Sequence, residues 1–127
     1  MFTRRKLLKS GAALAAGAFA LPAMPALAKG AAIKIGYVSP QSGPLSAFSQ
    51  ADAYMVAGFP KAAKANGLDV EVIVKDSQSN PNRAAEVARE LISRDRVNLI
   101  LVASTPETTN PVCTVAESEE IPVISSV

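Results

Sequence analysis

Histidine and tryptophan are absent from this sequence, and cysteine occurs once, at Cys113. Without histidine a Ser-His-Asp arrangement is impossible, and a transition-metal site would have carboxylates alone for ligands. A single cysteine closes no internal disulfide, so a folded domain must rest on its core, and Cys113 reads as a small apolar filler rather than an activated thiol. No G-x-G-x-x-G follows the first apolar segment, and neither G-x-x-x-x-G-K-[ST] nor G-x-S-x-G occurs. Asp76 and Glu107 are conceivable as paired carboxylates, but nothing in their spacing brings them together. These absences move the reading from catalysis to binding, with no catalytic residue, metal or cofactor expected.

A long hydrophobic run is also missing. The longest, Ser10 to Leu21, falls short of the roughly 20 residues that cross a bilayer. It sits inside a three-part pattern: Arg4, Arg5, Lys6 and Lys9, then the apolar run, then Ala26-Leu27-Ala28, an A-x-A cleavage site. That organisation predicts an export signal over residues 1–28. "TRRKLLK" (Thr3–Lys9) resembles the twin-arginine signature, with Leu7 where phenylalanine is commoner, and the Ala/Gly-rich run suits that route. Of the 13 Lys and Arg, four lie in this segment, so a processed chain keeps nine against 11 acidic residues. The formal charge of +2 therefore belongs to the signal. No basic cluster interleaved with aromatics remains, which argues against nucleic acid as a partner.

After residue 28, apolar segments alternate with amphipathic ones. "IKIGYVS" (Ile33–Ser39) predicts a strand, followed by the turn-rich "SPQSGPLSAFSQ" (Ser39–Gln50). A helix is expected from Pro60 to Asn66, with Gly67 as its cap and Asp52–Ala57 as a separate helical turn, because Pro60 inside one continuous helix would break a backbone hydrogen bond. "LDVEVIVKD" (Leu68–Asp76) predicts a second strand. The clearest helix lies in "SNPNRAAEVARELISRD". There Asn80 fits the N-cap and Pro81 the first turn, and Ala84, Val87, Ala88, Leu91 and Ile92 make one apolar stripe. The opposite side offers Glu86–Arg89 and Glu90–Arg94 as favourable pairs. "VNLILVA" (Val97–Ala103) predicts a third strand, Pro111–Glu119 a weaker helix, and "IPVIS" (Ile121–Ser125) a fourth strand. The alternation predicts an α/β fold: a parallel sheet of about four strands with helices on both faces.

In such a sheet the ligand edge is the carboxyl end of the strands. Three loops converge there, carrying Ser39, Ser42, Ser46 and Phe48; Asp76, Ser77 and Gln78; and Ser104, Thr105, Thr108 and Thr109. Hydroxyls beside free helix N–H groups suit a carboxylate or another oxygen-rich ligand. Each also has a plainer role. Thr105 and Asn110 precede prolines and fit helix N-caps, Asp76 fits a loop pin, and Phe48 can pack as core. Glu107 opposes an anion unless it turns outward.

The segments "IKIGYVSPQSGPLSAFSQ", "VKDSQSNPNRAAEVARELISRDRVNLILVAS" and "TTNPVCTVAESEEIPVISS" together resemble the N-terminal lobe of the periplasmic solute-binding proteins of the branched-chain amino-acid type, which serve ABC importers. The resemblance implies a type I periplasmic binding fold with two lobes closing on a small ligand, such as an amino acid, amide or organic acid, for delivery to a membrane permease. It places Phe48 as an aromatic wall of the ligand site and Thr108 as a hydroxyl on the ligand carboxylate, with Ser104 and Thr105 in the same loop. It also implies a second lobe and hinge beyond Val127, so residues 29–127 are expected to be part of an N-terminal lobe. A ligand-sensing module reporting to a membrane receptor, and an exported α/β enzyme with its catalytic part elsewhere, are the competing readings.

Overall fold

The computed structural model describes residues 31–125. The expected export signal, residues 1–28, lies outside the described residues. Four strands form one sheet: β1 (Ile33–Ser39), β2 (Val70–Asp76), β3 (Leu99–Val102) and β4 (Val123–Ser125). Their spatial order is β2-β1-β3-β4, and every pairing is parallel. Parallel neighbours need crossovers, supplied by α1 (Asp52–Ala65), α2 (Pro81–Glu90) and α3 (Pro106–Ser118). The chain first steps from β1 to β2 on one side, then crosses back over β1 to β3 and on to β4. With right-handed crossovers, that reversal puts α1 on one face of the sheet and α2 with α3 on the other. The expected four-stranded α/β fold is the observed one.

Strand alternation sorts the side chains. Val38, Ile100 and Val102 meet Ala84, Val87, Ala88 and Leu91 of the α2 segment and Val112, Val115 and Ala116 of α3 in one core, all buried. Gly36 belongs to this face, and a Cβ there would stand 2.9 Å from a Leu91 methyl, so the missing side chain lets α2 approach β1. The Asn80 cap forms as expected, its Oδ1 accepting from the backbone N–H groups of Asn82 (2.9 Å) and Arg83 (3.1 Å). At its other end α2 widens into one π-helical turn, Leu91–Asp95, which Arg96 closes in the left-handed conformation at φ 54°.

The other face is only partly covered. Tyr37, Val72, Leu101 and Ile124 of the sheet and Met55, Val56 and Phe59 of α1 surround an apolar groove of about 260 Å³. Ile124 is 59% exposed and Met55 52%.

Four sequence expectations need correction. α1 runs unbroken through Pro60 rather than restarting there. Pro60 has no N–H to return to the carbonyl four residues back, yet the helix continues on both sides of it. α3 begins at Pro106, five residues before the expected Pro111, which lies inside it. The buried stripe Thr108, Thr109, Val112, Val115 and Ala116 continues across Pro111, so side-chain burial on both sides outweighs one lost bond. β2, β3 and β4 are shorter than expected, spanning Val70–Asp76, Leu99–Val102 and Val123–Ser125. Finally, Glu90 pairs with Arg83 (3.2 Å) and Lys75 (3.4 Å) instead of Arg94, and Glu86 with Arg83 (2.8 Å) instead of Arg89. Lys75 comes from β2, and such tertiary partners are invisible to spacing within one helix.

Candidate functional site

Between β1 and β3 the strand order reverses, and the loops leaving their carboxyl ends diverge to opposite faces. A crevice at this point is the general ligand position of open α/β sheets. The loop after β1 is built first by hydrogen bonds to its neighbour after β2. The Asp76 carboxylate accepts from Ser42 Oγ (2.6 Å), Ser42 N (3.2 Å) and Gln78 N (2.8 Å). Ser79 Oγ donates to the Ser42 carbonyl (2.7 Å) and accepts from Leu45 N (3.0 Å). Gly43 turns at φ 87° against Ser79, where an added Cβ would stand 2.7 Å from the hydroxyl. Gln78 and Ser79 both take positive φ, 54° and 56°, a conformation costly for side-chain-bearing residues. The network thus holds two loops in one arrangement.

Burial alone would raise the Asp76 pKa, but the hydrogen bonds from Ser42 and from the Gln78 and neighbouring backbone amides outweigh it and keep the carboxyl below its ordinary 3.8. Asp76 therefore serves as a loop pin, the plainer of its two sequence readings. Downstream of this pin a 3₁₀ turn, Ser46–Ser49, presents Phe48 with 58% of its surface exposed. Phe48 is not a core residue.

The loop after β3 delivers the hydroxyl group. Ser104 is 7% exposed, and its Oγ makes no hydrogen bond among the described residues. Thr105 takes an extended backbone (φ −94°, ψ 162°) as the N-cap of α3, without a side-chain bond to the first-turn amides. Thr108 reaches the same edge, yet its Oγ1 already lies 3.2 Å from the Thr105 carbonyl, to which it donates. Thr109 Oγ1 is buried with no partner among the described residues. Asn110, the other residue before a proline, sits within α3 and caps nothing.

Glu107 is exposed in the first turn of α3. Its own backbone N–H at the start of α3 holds its carboxyl below the ordinary range, while Thr105 Oγ1 makes no hydrogen bond among the described residues. With Asp76 committed to its loop, Asp76 and Glu107 do not form a working pair. Sequence reasoning overlooked Asp52, a buried carboxylate bonded to Tyr37 and Ser39. Its only sequence signal was a lone acid at the start of a helical turn.

This edge therefore offers unspent hydrogen-bonding capacity and one exposed aromatic ring, without a catalytic pair. The model of the family described as periplasmic binding protein matches residues 32–127. The chain belongs to the periplasmic binding protein family. That is a solute-binding family, not an enzymatic one. Among solved structures, the chain is similar to an extracellular ligand-binding receptor from Rhodopseudomonas palustris HaA2, with 32% identity and a TM-score of 0.65, over 75% of this chain and 26% of that one. An ABC transporter substrate-binding protein from Sphaerobacter thermophilus gives 30% identity and a TM-score of 0.64, over 75% and 26%. The branched-chain amino acid transporter substrate binding protein LivJ from Streptococcus pneumoniae, solved in complex with isoleucine, gives 27% identity and a TM-score of 0.64, over 75% and 28%. The periplasmic binding chain thus spans under a third of the length of each of these structures. Among curated protein sequences none matches it.

Proposed function

We propose that residues 29–127 form part of the N-terminal lobe of a two-lobed, exported substrate-binding component of an ABC importer, and that this part anchors the carboxylate of an amino acid or another small organic acid. One observation carries the reading. Ser104 and Thr109 bring buried hydroxyls without partners to the N-terminal end of α3, at the point where the strand order reverses. A buried polar atom is costly unless something bonds it, and a carboxylate accepts from hydroxyls and from free helix N–H groups alike. Phe48 supplies the apolar wall, Ser104 and Thr105 the rim, and Thr108 the hydroxyl behind it. Residues 1–28 act as an export signal of the twin-arginine type, delivering the protein to the periplasm, where an ABC permease takes the solute.

The test uses the intact two-lobed protein and calorimetric titration with a panel of branched-chain and other amino acids and organic acids. Binding without turnover is the expected result, and Ser104→Ala should weaken it by about tenfold or more, the worth of one hydrogen bond to a charged group. No heat and no thermal shift across the panel would remove the transport reading. The likeness to a protein described as an extracellular ligand-binding receptor favours a second reading, a sensing module. Capture of a receptor rather than a permease by the loaded protein would select it.

A further inference from the structure

Helix α1 contains one buried side chain, and it is a carboxylate. Asp52 is 6% exposed. Its Oδ1 accepts from the Tyr37 hydroxyl at 2.8 Å and its Oδ2 from Ser39 Oγ. Tyr37 and Ser39 alternate along β1, so both project to the α1 face, and Asp52 stands in the first turn of α1, where the helix dipole favours negative charge. No lysine or arginine forms an ion pair with it among the described residues. Among the described residues, two hydroxyl donors and a helix end are its compensation.

The remainder of α1 cannot supply the same hold. Tyr54 is 82% exposed, and Met55 and Phe59 border the open groove. Upstream, Gln50 (φ −59°, ψ −30°) and Ala51 (φ −87°, ψ −7°) continue the helical backbone between the 3₁₀ turn of Phe48 and Asp52. Phe48 and Asp52 are therefore joined through a continuous helical path, with the Ala51 carbonyl accepting from Met55 N at 3.0 Å.

We propose that Asp52 is a positioning residue: by holding the Tyr37 and Ser39 hydroxyls it fixes the start of α1 to β1 and so sets where Phe48 stands at the ligand edge. That Phe48 matters there rests on the function proposed above; the clamp itself does not. The Tyr37 phenol agrees with this geometry. Burial and then the Asp52 carboxylate raise its pKa from 10.0 to about 12, so it remains a donor to Asp52 at all ordinary pH.

The chain has no tryptophan, so Phe48→Trp provides a single indole reporter. In that background the full chain is compared with Asp52→Ala, Ser39→Ala, Tyr37→Phe and Asn80→Ala, the last a destabilising change on the opposite face. The expected result is a loss of indole anisotropy and easier quenching for Asp52→Ala, smaller losses for Ser39→Ala and Tyr37→Phe, and none for Asn80→Ala. In a Tyr54→Phe background, absorbance titration should show Tyr37 ionising at lower pH when Asp52 becomes alanine, while burial keeps it above its ordinary 10.0. If circular dichroism shows Asp52→Ala unfolded, Ser39→Ala and Tyr37→Phe decide the question. Unchanged anisotropy in folded clamp variants, an equal loss in Asn80→Ala, or a Tyr37 titration that does not move between the parent and folded Asp52→Ala would each overturn the proposal. No readout uses a solute, so the positioning and the transport reading fail separately.

Discussion

On one face of the sheet α2 and α3 bury Val38, Ile100 and Val102 completely, whereas on the other α1 leaves Leu101, Ile124 and Met55 around an open groove. The strands are shared, so the difference comes from the helices. The α2 segment offers an unbroken stripe of Ala84, Val87, Ala88 and Leu91, and α3 locks against it. In α1 the apolar residues are dispersed, and attachment at its start depends on a buried carboxylate. One face is held by close packing, which penalises any lost volume; the other buries Ile35 and adds directional bonds at the start of α1.

The sharpest way to break this contrast is to remove volume from each face. Ile100→Ala on the packed face should cost about 2–5 kcal/mol, and Leu91→Ala a similar amount, because both side chains are fully buried. Ile124→Ala on the open face should stay within about 0.5 kcal/mol. Urea denaturation of the full chain measures all three. Equal losses would show that the groove is closed in solution and the two faces alike.

Asn80→Ala tests the packed face through its helix rather than its core. Losing the acceptor for two first-turn amides should cost about 1 kcal/mol, read in the same denaturation curves. This cap was legible in the sequence because every element of it is local: asparagine, proline, then the apolar stripe. β1 was legible to the residue for the same reason. What escaped was tertiary. Pro60 and Pro111 look like helix starts, and only the burial on both sides of Pro111 and the continuous backbone around Pro60 show otherwise. Asp52 escaped because its partners come from a strand thirteen and fifteen positions away. At the carboxyl edge of the sheet the sequence pointed to a set of hydroxyls, but not which of them are spent: Thr108 bonds inward, while Ser104, Thr105 and Thr109 have no partner among the described residues.

The edge that joins the two faces carries its own pH signature. Asp76 has a folded-state pKa lowered below 3.8, so the stability it contributes is present above its unfolded value and is lost as pH falls through the folded one. Acid should therefore loosen the interlocked loops after β1 and β2 below about pH 4. In Asp76→Ala the pH dependence of the unfolding midpoint across that window should be shallower. If both proteins follow the same acid profile, the Ser42 and Gln78 bonds to Asp76 do not set the acid stability of these loops, and the edge is held by something else.

The smallest effect is expected where exposure is largest. Met55→Ser and Ile124→Ser remove apolar surface from the open groove while leaving Asp52 and its two hydroxyl donors in place. Exposed patches of this kind promote association, so light scattering should fall while the unfolding free energy moves by no more than about 0.5 kcal/mol. If these substitutions instead unfold the chain, the groove residues contribute to the fold through contacts with one another, and α1 is anchored along its length rather than at its first turn. If scattering does not change, the groove is covered in solution, and the two faces are alike in being closed to solvent.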